Sequence, residues 1–153
     1  VNEYLTNTAV QQSLDPTPRE NAPRGVLTLS ATFRNTSAVA LSDVHFSVEI
    51  LTNGNLVLNA DGGAGGVGSI VSLPDEQYGD DGTIAPDESF EIVFEIGLQN
   101  RRRFDFFVDA YGVPEGEGVT AAGTESVESF GFEVEAETLT GEVQEVYLPS
   151  VNR

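Results

Sequence analysis

An all-β chain folded as an antiparallel two-sheet sandwich is what this sequence predicts, and three observations predict it. The first is residue type. Nine Phe and many Val, Ile and Thr suit pleated, half-buried surfaces, and long stretches rich in Ala, Leu, Lys and Glu are missing. The second is punctuation, because 16 Gly and 7 Pro divide the 153 residues into short segments. The third is period: apolar residues recur at every second position in segment after segment. The hydrophobic share of 39% is far above that of a disordered chain, and the length suits one domain with extensions.

Along the chain, Tyr4, Thr6, Thr8 and Val10 alternate within residues 1–14, which reads as a strand. Pro16, Pro18 and Pro23 make 15–24 an extended linker. Leu27, Leu29, Ala31 and Phe33 then share one face, opposite Thr28, Ser30 and Thr32. Asn35-Thr36-Ser37 marks a turn. In the next strand Val44, Phe46, Val48 and Ile50 face inward, with His45, Ser47 and Glu49 outward. Asn53-Gly54 is a turn signal followed by a short strand over 56–60. A glycine loop covers 62–68, a short strand over 69–73 ends at Pro74, and 75–88 is an acidic loop.

The alternation is clearest where Phe90, Ile92, Phe94, Ile96 and Leu98 interleave with Glu91, Val93 and Glu95. Residues 100–103 turn the chain, and Phe104, Phe106, Val108 and Ala110 run back, which predicts a hairpin over 89–111. Residues 115–145 carry nine Glu and no basic residue. They are still strand-forming, since Phe130, Phe132, Val134 and Ala136 alternate with Gly131, Glu133, Glu135 and Glu137. Residues 143–151 add a last short strand. The organisation expected is an N-terminal extension over 1–25 (a candidate donor strand plus linker), a sandwich core over 26–112, and an acidic extension over 113–153 with two further strands packed on the sandwich.

Three stretches carry a family resemblance. They are Phe33-Arg34-Asn35-Thr36-Ser37 followed by Ala40-Leu41-Ser42-Asp43-Val44, then Ile84-Ala85-Pro86-Asp87-Glu88-Ser89 leading into the alternating strand, and Phe106-Phe107-Val108-Asp109. With these, 26–112 resembles the CARDB family, the cell-adhesion-related immunoglobulin-like sandwiches of bacterial and archaeal surfaces. Asp87 stands where that family usually has Gly. The resemblance implies an immunoglobulin-like fold and an extracellular, often repetitive, setting; it transfers no active site.

Charge excludes several function classes. A net charge of −18 and a pI near 4.1 repel phosphate backbones and anionic headgroups, so neither nucleic acid nor a membrane surface is an expected partner. Such a field favours solubility, attraction of Ca²⁺, or life in high salt. Every basic residue is Arg, which reads as compositional bias of the genome. Without Cys there is no disulfide framework and no thiolate chemistry. No apolar run approaches the roughly 18 residues of a membrane-spanning helix. A start at Val1 in a chain without Met implies an excised or processed product whose signal peptide has been removed.

Motifs that carry chemistry are few. Gly63-x-Gly65-x-x-Gly68 formally matches the dinucleotide fingerprint, but β-prone residues and Pro74 follow it where a helix is required. The loop 77–88 places Asp81, Gly82, Ile84 and Glu88 at EF-hand positions, while Gln77 and Gly79 occupy the first two ligand places. A looser cation site remains, because Asp75, Glu76, Asp80, Asp81, Asp87 and Glu88 supply many oxygens for Ca²⁺ in one loop; the alternative is a solvated acidic loop. His45 has no second His or Cys to complete a zinc site and reads as a surface histidine. There is no G-x-S-x-G elbow, and without Trp only Tyr4, Tyr78, Tyr111 and Tyr147 can stack on a sugar. No catalytic residue is assigned. Arg101-Arg102-Arg103 either solubilises a turn or docks an acidic surface such as the Glu-rich tail of a neighbouring copy. Asn35 heads a glycosylation sequon.

The expected function is therefore that of a non-enzymatic, extracellular structural or adhesive subunit without a required cofactor. Its partners are copies of itself, joined by β-strand addition, with Tyr4, Thr6, Thr8 and Val10 as the donor segment. The competing expectations are that both extensions complete their own sandwich, and that the chain is a monomeric Ca²⁺- or glycan-binding module of a larger secreted adhesin or enzyme.

Overall fold

In the computed structural model, residues 4–79, 82–100, 102–115, 126–134 and 144–145 are described. They form nine strands: β1 Leu5–Asp15, β2 Val26–Asn35, β3 Ala40–Leu51, β4 Leu56–Val57, β5 Ile70–Ser72, β6 Ser89–Gly97, β7 Phe104–Glu115, β8 Ser126–Val134 and β9 Gln144–Glu145. One sheet has the order β4-β6-β2-β1-β9 and the other β5-β3-β7-β8, with every pairing antiparallel. The central pair β2–β6 faces the central pair β3–β7. This is a two-sheet antiparallel β-sandwich, as the alternation predicts, and its strand order is immunoglobulin-like.

Alternation produces the core directly. Leu27, Leu29, Ala31 and Phe33 of β2, Val44, Phe46 and Val48 of β3, and Phe90, Ile92, Phe94 and Ile96 of β6 are all buried between the sheets. So are Phe104, Phe106, Val108 and Ala110 of β7. Phenylalanine rings bridge the layers. Phe33 lies 5.3 Å from Phe46 and 4.8 Å from Phe130. Each such ring contributes about 1.5–3 kcal/mol by leaving water.

The predicted hairpin over 89–111 does not form. β6 pairs with β2 and β4, whereas β7 pairs with β3 and β8 in the opposite sheet. The two segments face each other across the core, because apolar alternation is satisfied equally by a neighbour alongside and by one opposite. The same holds at Asn53-Gly54. Both residues have positive φ (66° and 72°), as a primed turn needs, yet the turn carries the chain from β3 in one sheet to β4 in the other. Among sequence-adjacent strands, only β1–β2 and β7–β8 pair.

Both outer segments are integral to the sheets. β1 pairs with β2 from Leu5–Asn35 to Asp15–Val26, and Leu5, Val10 and Leu14 enter the core. β8 pairs with β7 from Phe104–Val134 to Gly112–Ser126, and Phe130 and Phe132 enter it. Residues 26–112 alone would leave these faces uncovered. The stretch read as a linker is a tight connection in which Arg19 and Ala22 exchange backbone hydrogen bonds of 3.0 Å around Asn21, whose φ is 62°. Gly25 has φ 108° and lies against the Asp15 carbonyl, a conformation and an approach that a side chain would prevent. Pro16 and Pro18 thus straighten the entry to a hairpin rather than separate two units.

Of the alternating residues, Tyr4 precedes β1, and Thr6, Thr8 and Val10 form the predicted strand but do not share one face of it. Val10 is buried, but Thr6 and Thr8 are exposed, because a bulge between Asn7 and Ala9 shifts the phase. The Asn7 side-chain amide secures the bulge by donating to the Ala9 and Thr32 carbonyls at 3.2 and 3.0 Å.

Candidate functional site

Among the described residues no cleft gathers the predicted site residues, and the surface is defined chiefly by the edges of its two sheets. The outer edge of β3 is closed from Leu41 to Val48. Leu41 exchanges backbone hydrogen bonds with Ile84. The Tyr78 hydroxyl accepts from Val44 N–H at 2.7 Å, β5 pairs with His45 to Ser47, and Val48 bonds Gly68 and Ser69. The outer edge of β6 is closed by side chains where β4 ends. Asn59 donates to the Val93 carbonyl at 2.8 Å and accepts from Glu95 N–H at 3.0 Å, and Gln77 accepts from Glu91 N–H at 2.9 Å. These carboxamides imitate the rungs of a missing strand.

Among the described residues β9 covers β1 at Gln11 and Gln12, and the bulge lies in the other half of β1. Bulges twist an edge away from flat pairing. β8 is different. Its nine pairs with β7 run without a register shift, and among the described residues no strand lies beyond it. Its inward positions include buried Phe130 and Phe132. At Gly131 the ring of Phe107 on β7 lies across the space a Cβ would fill, which covers the glycine and keeps this stretch regular. A long, regular edge of this kind is a template for another strand.

The acidic loop 75–88 does not assemble a cation site from its described residues. Asp75 and Glu76 are exposed on a single 3-10 turn, Asp75–Gln77. Asp87, with φ 69°, pairs with Arg34 at 2.9 Å, and Glu88 accepts from Ala85 N–H at 2.6 Å. Asp80 and Asp81 lie outside the described residues. Among the described residues no three His, Asp or Glu side chains are grouped to hold a metal ion. Two shallow grooves flank the loop. One of ≈ 550 Å³ includes Asp43, Asp75 and Tyr78, and one of ≈ 340 Å³ includes Asp61, Glu76 and Glu91.

The other singled-out residues are dispersed. Asn35 is fully buried, with its amide nitrogen donating to the Val39 and Ile84 carbonyls at 2.8 and 2.9 Å. Its side-chain oxygen accepts from the Ser37 backbone and hydroxyl at 3.0 and 2.6 Å. With every valence of the amide used, the sequon is closed to a glycosylating enzyme in the folded protein. His45 stacks on Tyr111 with centroids 5.2 Å apart and planes 4° apart. Asp61 accepts from Ser72 N–H through both oxygens at 3.0 and 3.2 Å; burial opposes ionisation, but the Ser72 hydrogen bonds outweigh it and lower the pKa. Burial raises the Tyr78 pKa, although the Val44 hydrogen bond opposes the shift. Tyr4 packs partly buried against the core, and Tyr147 and Arg101 lie outside the described residues. Arg102 and Arg103 are exposed in the β6–β7 connection.

The glycine fingerprint is a packed turn. Gly65 bonds the Val57 N–H and the buried Ser69 hydroxyl, and strand β5 follows where a phosphate-binding helix would have to begin. Among the described residues no helix is long and apolar enough to cross a membrane.

Fold and surface together define an acidic, immunoglobulin-like β-sandwich with one long regular open edge among its described residues. No protein-family model, curated protein or solved structure matches the chain, so no relative identifies it further and none supports the CARDB resemblance.

Proposed function

We propose that this protein is a non-enzymatic structural or adhesive module of a cell surface, and that copies of it join by β-strand addition along β8. The observation that carries the reading is the contrast among edges. β3 and β6 are closed by backbone, hydroxyl and carboxamide partners, β1 is bulged, and β8 presents nine regularly paired residues at what is, among the described residues, a sheet edge. The resemblance of 26–112 to surface adhesion domains is what supports the extracellular setting. The donor role expected of Tyr4 to Val10 passes to β8 in this reading, because that half of β1 is bulged between Asn7 and Ala9 whereas β8 keeps its register throughout.

Two adjacent proline variants test it. In an antiparallel strand the N–H and C=O of one residue point to the same side, and successive residues alternate sides. Of Glu128→Pro and Ser129→Pro, one therefore removes an N–H directed at β7 and the other an N–H directed at the open edge. Sedimentation velocity on the unmodified chain is expected to show association that rises with concentration. One proline variant should lose association while keeping its Tm, and the other should lose Tm. Association unchanged in both, or an unmodified chain that stays monomeric, rejects the reading in favour of a monomeric binding module.

A further inference from the structure

We propose that Asn53 is a self-modifying site. Its side-chain amide condenses with the Gly54 backbone nitrogen and is lost as ammonia, and the acid that results releases the tie between the β3–β4 turn and the β6–β7 connection. This site rests on the chemistry of one turn and is independent of pairing at β8.

Residue type comes first. A backbone nitrogen attacks the side-chain carbonyl of a preceding asparagine most easily when its own residue has no Cβ, because the five-membered ring then closes without crowding. The chain has nine asparagines, and Asn53 is the one that precedes glycine. An added Cβ at Gly54 would meet only the Gln99 side chain, at 3.8 Å, so the space beside the attacking nitrogen is open.

The turn leaves both reacting groups accessible. Asn53 and Gly54 are exposed, and the turn is closed by an Asn55 N–H to Thr52 carbonyl bond of 3.4 Å, long for a backbone hydrogen bond. Among the described residues the Gly54 N–H has no acceptor. Asn55 adds a reason for the turn to open. Its Oδ1 accepts from Gln99 N–H at 2.9 Å, but its Nδ2 is buried without a partner, and opening gives that donor to water. The comparable Asp61-Gly62 pair is closed on both counts. Ser72 N–H holds both Asp61 oxygens, and Gly62 N–H donates to the Ile70 carbonyl at 3.2 Å.

One contact restrains Asn53. Its Nδ2 donates to the Arg103 carbonyl at 2.8 Å, and the side chain must leave that carbonyl before the ring closes. Base then removes the Gly54 amide proton, the nitrogen attacks Cγ, and the Cγ–Nδ2 bond breaks with Nδ2 leaving as ammonia. Water opens the resulting succinimide at either carbonyl, giving aspartate or isoaspartate. In sum an amide and a water become an acid and an ammonia, with no oxidant and no cofactor. Either product carries a carboxylate, which has no hydrogen to donate to the Arg103 carbonyl and is repelled by it. Isoaspartate also inserts a backbone carbon into a turn whose φ values of 66° and 72° fit a four-residue link. The turn that carries the chain from one sheet to the other is thereby untied by a reaction of its own residues.

Ageing of the full chain in mildly alkaline buffer, followed by peptide mapping with mass spectrometry, tests this. Asn53 should convert to its acid before any other asparagine. Conversion should be faster in urea-unfolded chain than in the folded protein, because unfolding removes the Arg103 contact. Aged protein should show a lowered Tm, and Asn53→Asp should show a loss in the same direction without ageing. Asn53→Gln, whose ring would be six-membered, should keep its mass and its Tm through the same treatment. The proposal is overturned by an Asn53 that keeps its amide in the folded protein, by another asparagine converting first, or by equal rates in folded and unfolded chains. Conversion that leaves Tm unchanged, together with an Asn53→Asp variant as stable as the parent, overturns the release of the tie.

Discussion

The ring of Phe94 on β6 meets the ring of Phe106 on β7 edge-on across the sandwich, with centroids 5.0 Å apart and planes at 75°. Both rings are fully buried. This one contact explains how consecutive, equally amphipathic strands end in different sheets: their apolar faces satisfy each other face to face. Truncating either to Ala should cost about 3–5 kcal/mol in chemical denaturation. A double-mutant cycle should add a coupling of about 0.5–1.5 kcal/mol, whereas additivity would show that the edge-on geometry contributes nothing beyond burial.

Asn35→Ala removes from a buried turn two amide donors and the side-chain oxygen that accepts from Ser37, leaving the Val39 carbonyl only the Ser37 hydroxyl and the Ile84 carbonyl only the Leu41 N–H. Each lost buried partner costs about 1–3 kcal/mol, so a drop of at least that size is expected in urea unfolding. Asn35→Asp should be as damaging at neutral pH, because a carboxylate faces the same two carbonyls. Stability equal to the parent in both variants would mean that the turn does not depend on this side chain.

Gly131→Ala sets a Cβ against the Phe107 ring. A loss of about 1–3 kcal/mol is expected from the overpacking. In the background of Phe107→Ala the same substitution should become neutral or stabilising, since glycine is otherwise unfavourable inside a strand. A loss that persists without the ring would place the cause in the backbone.

Tyr78→Phe leaves the Val44 N–H without the hydroxyl that accepts from it, at a cost of about 1–2 kcal/mol. The pH dependence has a definite sign. Burial raises the Tyr78 pKa above 10.0, so the folded state keeps a proton that the unfolded chain releases. Its contribution is full below pH 10.0 and is lost as pH rises through the folded value. The gap in Tm between parent and Tyr78→Phe should narrow at alkaline pH; a constant gap excludes this linkage.

At the acid limb the behaviour reverses for Asp61. The Ser72 hydrogen bonds, working against burial, depress its pKa below 3.8. Its contribution is therefore present above the usual carboxylate range and fades as pH falls through the lower folded value. Asp61→Asn should lower Tm at neutral pH and converge with the parent in strong acid. Parallel Tm curves down to the most acidic point would remove Asp61 from the linkage.

Much of the fold was legible in the residues themselves. The alternating faces at Leu27–Phe33, Val44–Val48, Phe90–Ile96 and Phe104–Ala110 are the faces that the core uses. The candidate site was legible only in its charges. Asp75, Glu76, Asp87 and Glu88 were visible as a loop rich in oxygen, but the ion pair of Asp87 with Arg34 brings together residues 53 apart in sequence. Asn35 read as a sequon because its triplet is local, while the Ile84 carbonyl that buries it comes from 49 residues away.

The acidic sandwich predicted at the outset was thus determined by sequence in its class, its turns and its inward residues. Period-two alternation and glycine or asparagine turns are local properties, and they survive whatever the chain does next. Tertiary structure alone decided which strands lie side by side, which lie opposite, and which edge stays open. A buried face reports only that apolar surface must be covered. It does not distinguish a neighbour about 4.8 Å away in the sheet from one about 10 Å away across the core. That choice made Phe94 and Phe106 partners across the sandwich, left β8 at an edge, and brought Asn53 to the Arg103 carbonyl.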